Sequence, residues 1–242
     1  MRKKPQLILI VFALLTHSIT AQDYSIGLKG GANYNNIGEF YSIGGSIATG
    51  TPNETFTANN EIGYQFGLFF KVDYSGFFIQ PEVNYVTLKN SYDFPTKIAE
   101  WNAKQIDVPL LVGYRVYNPV SIYAGPVFSF ISETTMDGWE EDSSYADPFT
   151  YNEFSTSICA GILVDFGKVG IDFRYQYGIT KVEEQRLDMI KTYNGYGVNL
   201  GDLLEYNPSQ ISIAIHFKFF NSDSAGKRTR SSGSGWRNHK NL

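Results

Sequence analysis

Between residues 24 and 220 the chain repeats one pattern. Apolar side chains take every second position, and Gly, Ser, Asn, Gln or a charge sits between them. In "GIDFRYQYGIT", 170–180, Ile171, Phe173, Tyr175, Tyr177 and Ile179 alternate with Asp172, Arg174, Gln176 and Gly178. A period of two is that of a strand with one apolar and one polar face. Eight segments carry it: "YSIGLKGGANYNN" at 24–36, "IGYQFGLFFKVDY" at 62–74, "FFIQPEVNYVTL" at 77–88, "QIDVPLLVGYRVY" at 105–117, "VSIYAGPVFSFI" at 120–131, "FSTSICAGILVDF" at 154–166, "VGIDFRYQYGIT" at 169–180 and "QISIAIHFKFF" at 210–220. They run to 11–13 residues. Strands of globular proteins have a mode of about 5–6. A tilted strand crossing a bilayer needs roughly 9–11.

The connections alternate in length. Ser75-Gly76, Asn118-Pro119 and Gly167-Lys168 are tight-turn dipeptides. The other four connections, 37–61, 89–104, 132–153 and 181–209, are long. Short turns at one end and long loops at the other are the layout of an outer-membrane barrel, with the turns periplasmic. An even number of strands puts both ends of the barrel chain on the turn side. The predicted fold is all-β: an eight-stranded antiparallel up-and-down transmembrane β-barrel.

Alternation alone does not say which face is inside. A soluble lipocalin-like carrier would turn its apolar face inward around a small ligand. Strand length, loop asymmetry and Tyr and Phe at strand ends favour the membrane barrel. On that reading Lys29, Lys71, Arg115, Arg174 and Lys218 point inward, with Asp73, Glu82, Asp107, Asp165 and Asp172. An eight-stranded lumen is just wide enough for side chains to fill, and a buried charge needs a partner. Lys29, Glu82 and Arg174 fall at similar depth counted from the turns. The expectation is a lumen charge network of Lys29, Glu82 and Arg174, with Asp172, Arg115 and Lys71 nearby, that plugs the barrel. Pro81, Pro109 and Pro126 lie inside strands of a sheet with no edge. Bulges or lost ladder bonds would accommodate them.

The ends add compartment. "MRKKPQLILIVFALLTHSITAQ" has a basic start, a short apolar core and small residues before Ala21, the pattern of a secretory signal over 1–21. The barrel would span 22–220. Residues 221–242 form a basic, Ser/Gly-rich tail, expected to be disordered and periplasmic. Without Arg2, Lys3 and Lys4 the net charge goes from −4 to −7, which argues against a nucleic-acid partner. The single cysteine, Cys159, allows no internal disulfide.

Several stretches together resemble the PorT-like outer-membrane β-barrel family of Bacteroidetes-type bacteria: "YSIGLKGGANYNNI", "FFIQPEVNYV", "IDVPLLVGY", "YAGPVF" and "AGILVDFGKVGIDFRYQYGIT". The resemblance covers most of the barrel and little of the loops. It implies an eight-stranded barrel in the outer membrane of a Gram-negative bacterium. It also implies a second functional expectation, an accessory role in type IX-like protein secretion, because the founding member is linked to that system. Such barrels usually finish on an aromatic residue. Here Phe219-Phe220 is followed by the basic tail.

Chemistry is sparse. Of three histidines, His17 is in the signal and His239 in the tail. His216 faces the lumen near the turn end, where a hydrogen-bonded structural role is expected. No Ser-His-Asp constellation follows from spacing. No catalytic, cofactor-binding or metal-ligating residues are assigned, and the chain is not expected to be an enzyme. The loop 132–153 carries Glu133, Asp137, Glu140, Glu141, Asp142, Asp147 and Glu153 with no base. It is read as a solvated acidic loop rather than a cation site. "VEEQRLDMI" suggests a short helix through Val182, Leu187 and Ile190. Loop aromatics (Phe40, Tyr41, Phe56, Trp101, Trp139, Tyr145, Tyr193, Tyr196 and Tyr206) could bind a partner or pack on one another. The expected function is that of a monomeric structural or interaction protein acting through its long loops. Its partners would be outer-membrane lipid, lipopolysaccharide and an extracellular or periplasmic protein.

Overall fold

The computed structural model describes residues 23–45, 54–95, 97–139, 146, 149–189 and 198–222. In chain order its strands are β1 (Asp23–Asn36), β2 (Phe40–Gly45), β3 (Thr55–Phe56), β4 (Asn59–Tyr74), β5 (Phe77–Asp93), β6 (Ile98–Tyr117), β7 (Val120–Met136), β8 (Phe154–Phe166), β9 (Val169–Gly178), β10 (Gln185–Asp188), β11 (Val198–Leu203) and β12 (Ser209–Asn221). The eight long strands close in the order β1-β12-β9-β8-β7-β6-β5-β4, and each pairs antiparallel with its neighbours. This is an eight-stranded antiparallel up-and-down barrel. Closure leaves no wall strand with an unpaired edge, as a hydrocarbon surround demands.

Burial settles the facing. Ile62 is 71% exposed and Ile211 61%, whereas Glu82 and Asp172, at the opposite parity, are 2% and 1% exposed. The interior is polar and the outer wall apolar, the inverse of a soluble carrier barrel, so the lipocalin-like alternative fails on which face is covered. An apolar wall of this extent is stable against lipid chains rather than water. Among the described residues no helix is long and apolar enough to cross a membrane.

At the turn end, Ser75 and Gly76 both have positive φ, as a two-residue type I′ hairpin requires. Gly167 takes φ +83° in the β8–β9 turn. The prolines interrupt the ladder without shifting it. Pro81 pairs with Leu110 and the next pair is Asn84 with Asp107. Pro109 pairs with Val127 and the next is Val112 with Ala124. Register is the same on both sides of each gap, so of the two expected accommodations it is lost bonds that occur.

The other end departs from expectation. β5, β6 and β7 run well beyond the segments predicted for them, so the expected 89–104 loop is mostly a hairpin whose last pair is Asp93 with Ile98. The remaining loops fold. β2, β3, β10 and β11 form a second, four-stranded sheet in the order β10-β11-β2-β3. The expected helix around Leu187 is strand β10, because β11 offers it a ladder from Gln185–Leu203 to Asp188–Leu200. Between this sheet and the β5–β6 hairpin lies an apolar cluster that includes Phe40, Phe56, Tyr92, Phe94, Trp101, Leu187 and Leu203. It forms a cap over the loop side of the barrel. Residues 1–21, all of the tail after Ser222, and Glu140, Glu141, Asp142, Tyr145, Asp147, Ile190, Tyr193 and Tyr196 lie outside the described residues.

Candidate functional site

The barrel interior is layered because inward positions recur every two residues and neighbouring strands are in fixed register. Lys29 on β1, Glu82 on β5 and Asp172 and Arg174 on β9 meet at one level. Lys29 Nζ lies 2.6 Å from Asp172 Oδ2 and 3.2 Å from Glu82 Oε2. Arg174 Nη2 donates to Glu82 Oε1 at 2.9 Å, to Glu82 Oε2 at 3.0 Å and to Asp172 Oδ2 at 3.1 Å. Two cations face two carboxylates, so the formal charge of the group is zero. Every one of these side chains is nearly free of solvent contact. A buried ion group holds only when hydrogen bonds also satisfy its remaining lone pairs. Here Gln80 Nε2 donates to Glu82 Oε1 at 2.8 Å and Asn84 Nδ2 to Glu82 Oε2 at 3.0 Å.

Tyr123 on β7 completes the group. Its hydroxyl donates to Asp172 Oδ1 and accepts from Arg174 Nε at 3.0 Å. The guanidinium also lies 5.4 Å from the Tyr123 ring centroid, within cation–π range. Tyr123 was absent from the expected network. Its signal in the sequence is an aromatic residue at inward parity, between Ser121 and Gly125. Gly161 on β8 is paired with both Tyr123 and Arg174. A Cβ there would overlap the Tyr123 hydroxyl, so glycine is what lets the phenol lie across the strand.

Lys71 and Arg115, expected near this group, sit elsewhere. Lys29 pairs with Gly67 of β4, and Lys71 lies four residues closer to the turns, about 13 Å along the strand. Lys71 Nζ instead approaches Asp73 at 3.4 Å and Asp165 at 3.8 Å. Arg115 reaches Asp73 at 3.4 Å, and Lys218 pairs with Asp165. The inward charges thus form two clusters, one mid-barrel and one near the turns. Asp107 joins neither by an ion pair and accepts from Gln105 Nε2 at 2.8 Å. Phe78, Leu111 and Leu163 are buried in one apolar cluster with Tyr123.

His216 is buried in the lumen against Asp172. Its ring stacks on Phe69 at 4.7 Å between centroids, and Nε2 stands 3.6 Å from Asp172 Oδ2. Glu82, Asp172 and His216 bring potential ligand atoms within 4.8 Å of one another. Lys29 and Arg174 already neutralise both carboxylates, so this donor set suits ammonium and guanidinium better than a metal ion. Cys159 is a buried free thiol packed with Tyr123 and Leu163.

On the loop side, two acids of the 132–153 segment have partners on β6 or just before it. Glu133 lies 2.7 Å from Lys104 and Asp137 2.9 Å from Lys97. Of the loop aromatics, Phe40, Phe56 and Trp101 are buried in the cap, Trp139 and Tyr206 pack against it, and Tyr41 is exposed. Tyr92 seals the cap, donating to the Gly38 carbonyl at 2.6 Å. Burial pushes the Tyr92 and Tyr206 phenols above their ordinary range.

The family model described as outer membrane protein beta-barrel domain matches residues 20–184. No curated protein matches. Among solved structures the chain is similar to neisserial surface protein A, with a TM-score of 0.44 and 15% identity over 81% of this chain and 99% of that one. It is similar to OprG from Pseudomonas aeruginosa, with a TM-score of 0.43 and 13% identity over 81% of this chain and 96% of that one. AlkL gives a TM-score of 0.37 and 10% identity over 81% and 90%.

Proposed function

The chain belongs to the outer membrane protein beta-barrel domain family, and we propose that within it this protein is a closed, non-enzymatic barrel that presents its folded loop cap to a partner. The observation that carries this is the contrast between the two ends of the lumen. A neutral ion group with six or more mutual contacts fills the middle, which suits an anchor better than a pore. The loops above it are a built sheet with its own apolar core, and a rigid scaffold is where binding residues collect. Export by the signal segment, the outer membrane of a Gram-negative bacterium and the PorT-like strand motifs belong to the same proposal. Lipopolysaccharide would surround the rim where Lys104 and Glu133 stand exposed.

Photo-crosslinking in intact outer membranes tests it. A crosslinker at Tyr41 or Glu54, both exposed on the cap side, is expected to capture a protein. One at Ser75 or Lys168 in the turns is expected to capture little. Adducts only from the turns would reverse the assignment. If those adducts were secretion components, the type IX-like accessory role would replace it.

A further inference from the structure

Between the ion group and the cap lies a cavity of about 90 Å³. At roughly 10–15 Å³ per enclosed water, it holds about six to nine waters, the displacement of a molecule the size of a monosaccharide. Its floor is one ring of inward residues. Gln176 and Gln210 face each other across β9 and β12, and Ser157 and Gln105 continue the ring. Its roof is formed by cap residues, among them Trp101 and Tyr206. None of its described lining residues is charged, although the layer directly beneath is dense in charge.

The two glutamines bring amide groups to this cavity, and each is 8% exposed. Asn35, 3% exposed and also lining the cavity, keeps its Oδ1 without a partner. Buried polar groups are normally satisfied; the Asn35 oxygen needs a donor, and the two amides beside it offer both donors and acceptors to whatever enters the cavity. A charged ligand would lose its hydration and find no counter-charge. A purely apolar one would leave the amides unpaired. A neutral molecule with several hydroxyls and one C–H face meets both demands: hydroxyls to the amides and serines, C–H face to the Trp101 ring.

We propose that this chamber binds a neutral, polyhydroxylated molecule of monosaccharide size. The site goes beyond the cap-side interaction role and does not rest on it, since crosslinking can fail while the chamber still binds, and the reverse. The test is saturation-transfer difference NMR on the folded barrel in micelles. The probes are glucose, galactose, mannose and N-acetylglucosamine, with glucuronate as the charged control and toluene as the apolar one. At least one neutral sugar is expected to give a saturable signal that the controls do not. Gln176→Leu with Gln210→Leu should weaken it by about tenfold or more, the cost of roughly 1.4 kcal/mol. Ser155→Trp, which fills the chamber from β8, should abolish it. Heat-modifiable migration shows whether each variant is folded, and the probe survey on the parent protein decides without either. No signal from any neutral sugar would mean a chamber of water only and would overturn the proposal. So would equal binding of glucuronate or toluene, or a sugar signal unchanged in both folded variants.

Discussion

Arg174 holds the barrel's middle by charge count rather than by chemistry. It contributes one of two cations facing Glu82 and Asp172, so Arg174→Leu leaves two buried carboxylates against Lys29 alone. Removing one partner of a buried ion group typically costs about 3–5 kcal/mol. The urea midpoint of the folded, heat-modifiable band should fall accordingly. Pairing the change with Glu82→Leu should recover a large part of the loss, because charge balance returns; no recovery would mean that Arg174 acts by packing. Gly161 gives a finer probe. Gly161→Ala should displace the Tyr123 hydroxyl from Asp172 and Arg174 and lower the same midpoint. Gly30→Ala should be nearly silent, since a Cβ there meets nothing nearer than 4.0 Å. At this scale parity made Lys29, Glu82, Asp172 and Arg174 legible: period two assigns an inward face, and counting from turns assigns a depth. Lys71 and Arg115 were grouped with them by parity without a depth, and they lie a layer nearer the turns. Tyr123 was missed because an aromatic residue at inward parity reads equally as core filler. What makes it polar is the empty space over Gly161, on the neighbouring strand and outside any local window of sequence.

The elements divide into those written in local pattern and those that are not. The membrane-crossing length of each wall strand follows from alternation alone, because lipid on one side and side chains on the other enforce it at every position. Above the membrane that constraint ends. β5, β6 and β7 continue past their expected ends because they still pair with one another, although "KNSYD" no longer alternates and "AEWNAK" alternates with its apolar residues on the inward parity that was polar below. β2 pairs with β11 across more than 150 residues of chain, and no window of sequence contains both. "VEEQRLDMI" therefore shows only its local spacing, and its fate as β10 is decided by β11. The cap that results should be separable from the wall. Phe40 is fully buried between Tyr92 and Phe94, and Phe40→Ala should cost the cap about 3–5 kcal/mol. Limited proteolysis should then cut within 37–58 or 179–208 while the barrel keeps its heat-modifiable migration. Loss of that migration in Phe40→Ala would mean that cap and barrel fold as one unit.

For the whole molecule the question is whether the lumen conducts. From the loop side, the cap covers the upper chamber, and the chamber's floor rests on the ion group of Lys29, Glu82, Asp172, Arg174 and Tyr123. Beside it Phe78, Leu111 and Leu163 pack in an apolar cluster with Tyr123. Below that Lys71, Asp73, Asp165 and Lys218 form the second ion cluster. These barriers stand in series, so removing one does not open a path. The purified barrel in a planar bilayer should show no steady conductance above background at any applied voltage that the bilayer survives. Replacing 37–58 by a short Gly-Ser linker removes β2 and β3 and opens the chamber from above, yet should leave conductance at background because both ion layers remain. Combining that replacement with Arg174→Leu and Glu82→Leu keeps the middle neutral and makes it more apolar, so it too should stay closed. Conductance in the parent would mean that the ion group opens in the bilayer, and the anchor reading would give way to a channel. Conductance appearing only with the linker would make the cap the gate, and the lumen below it a passage.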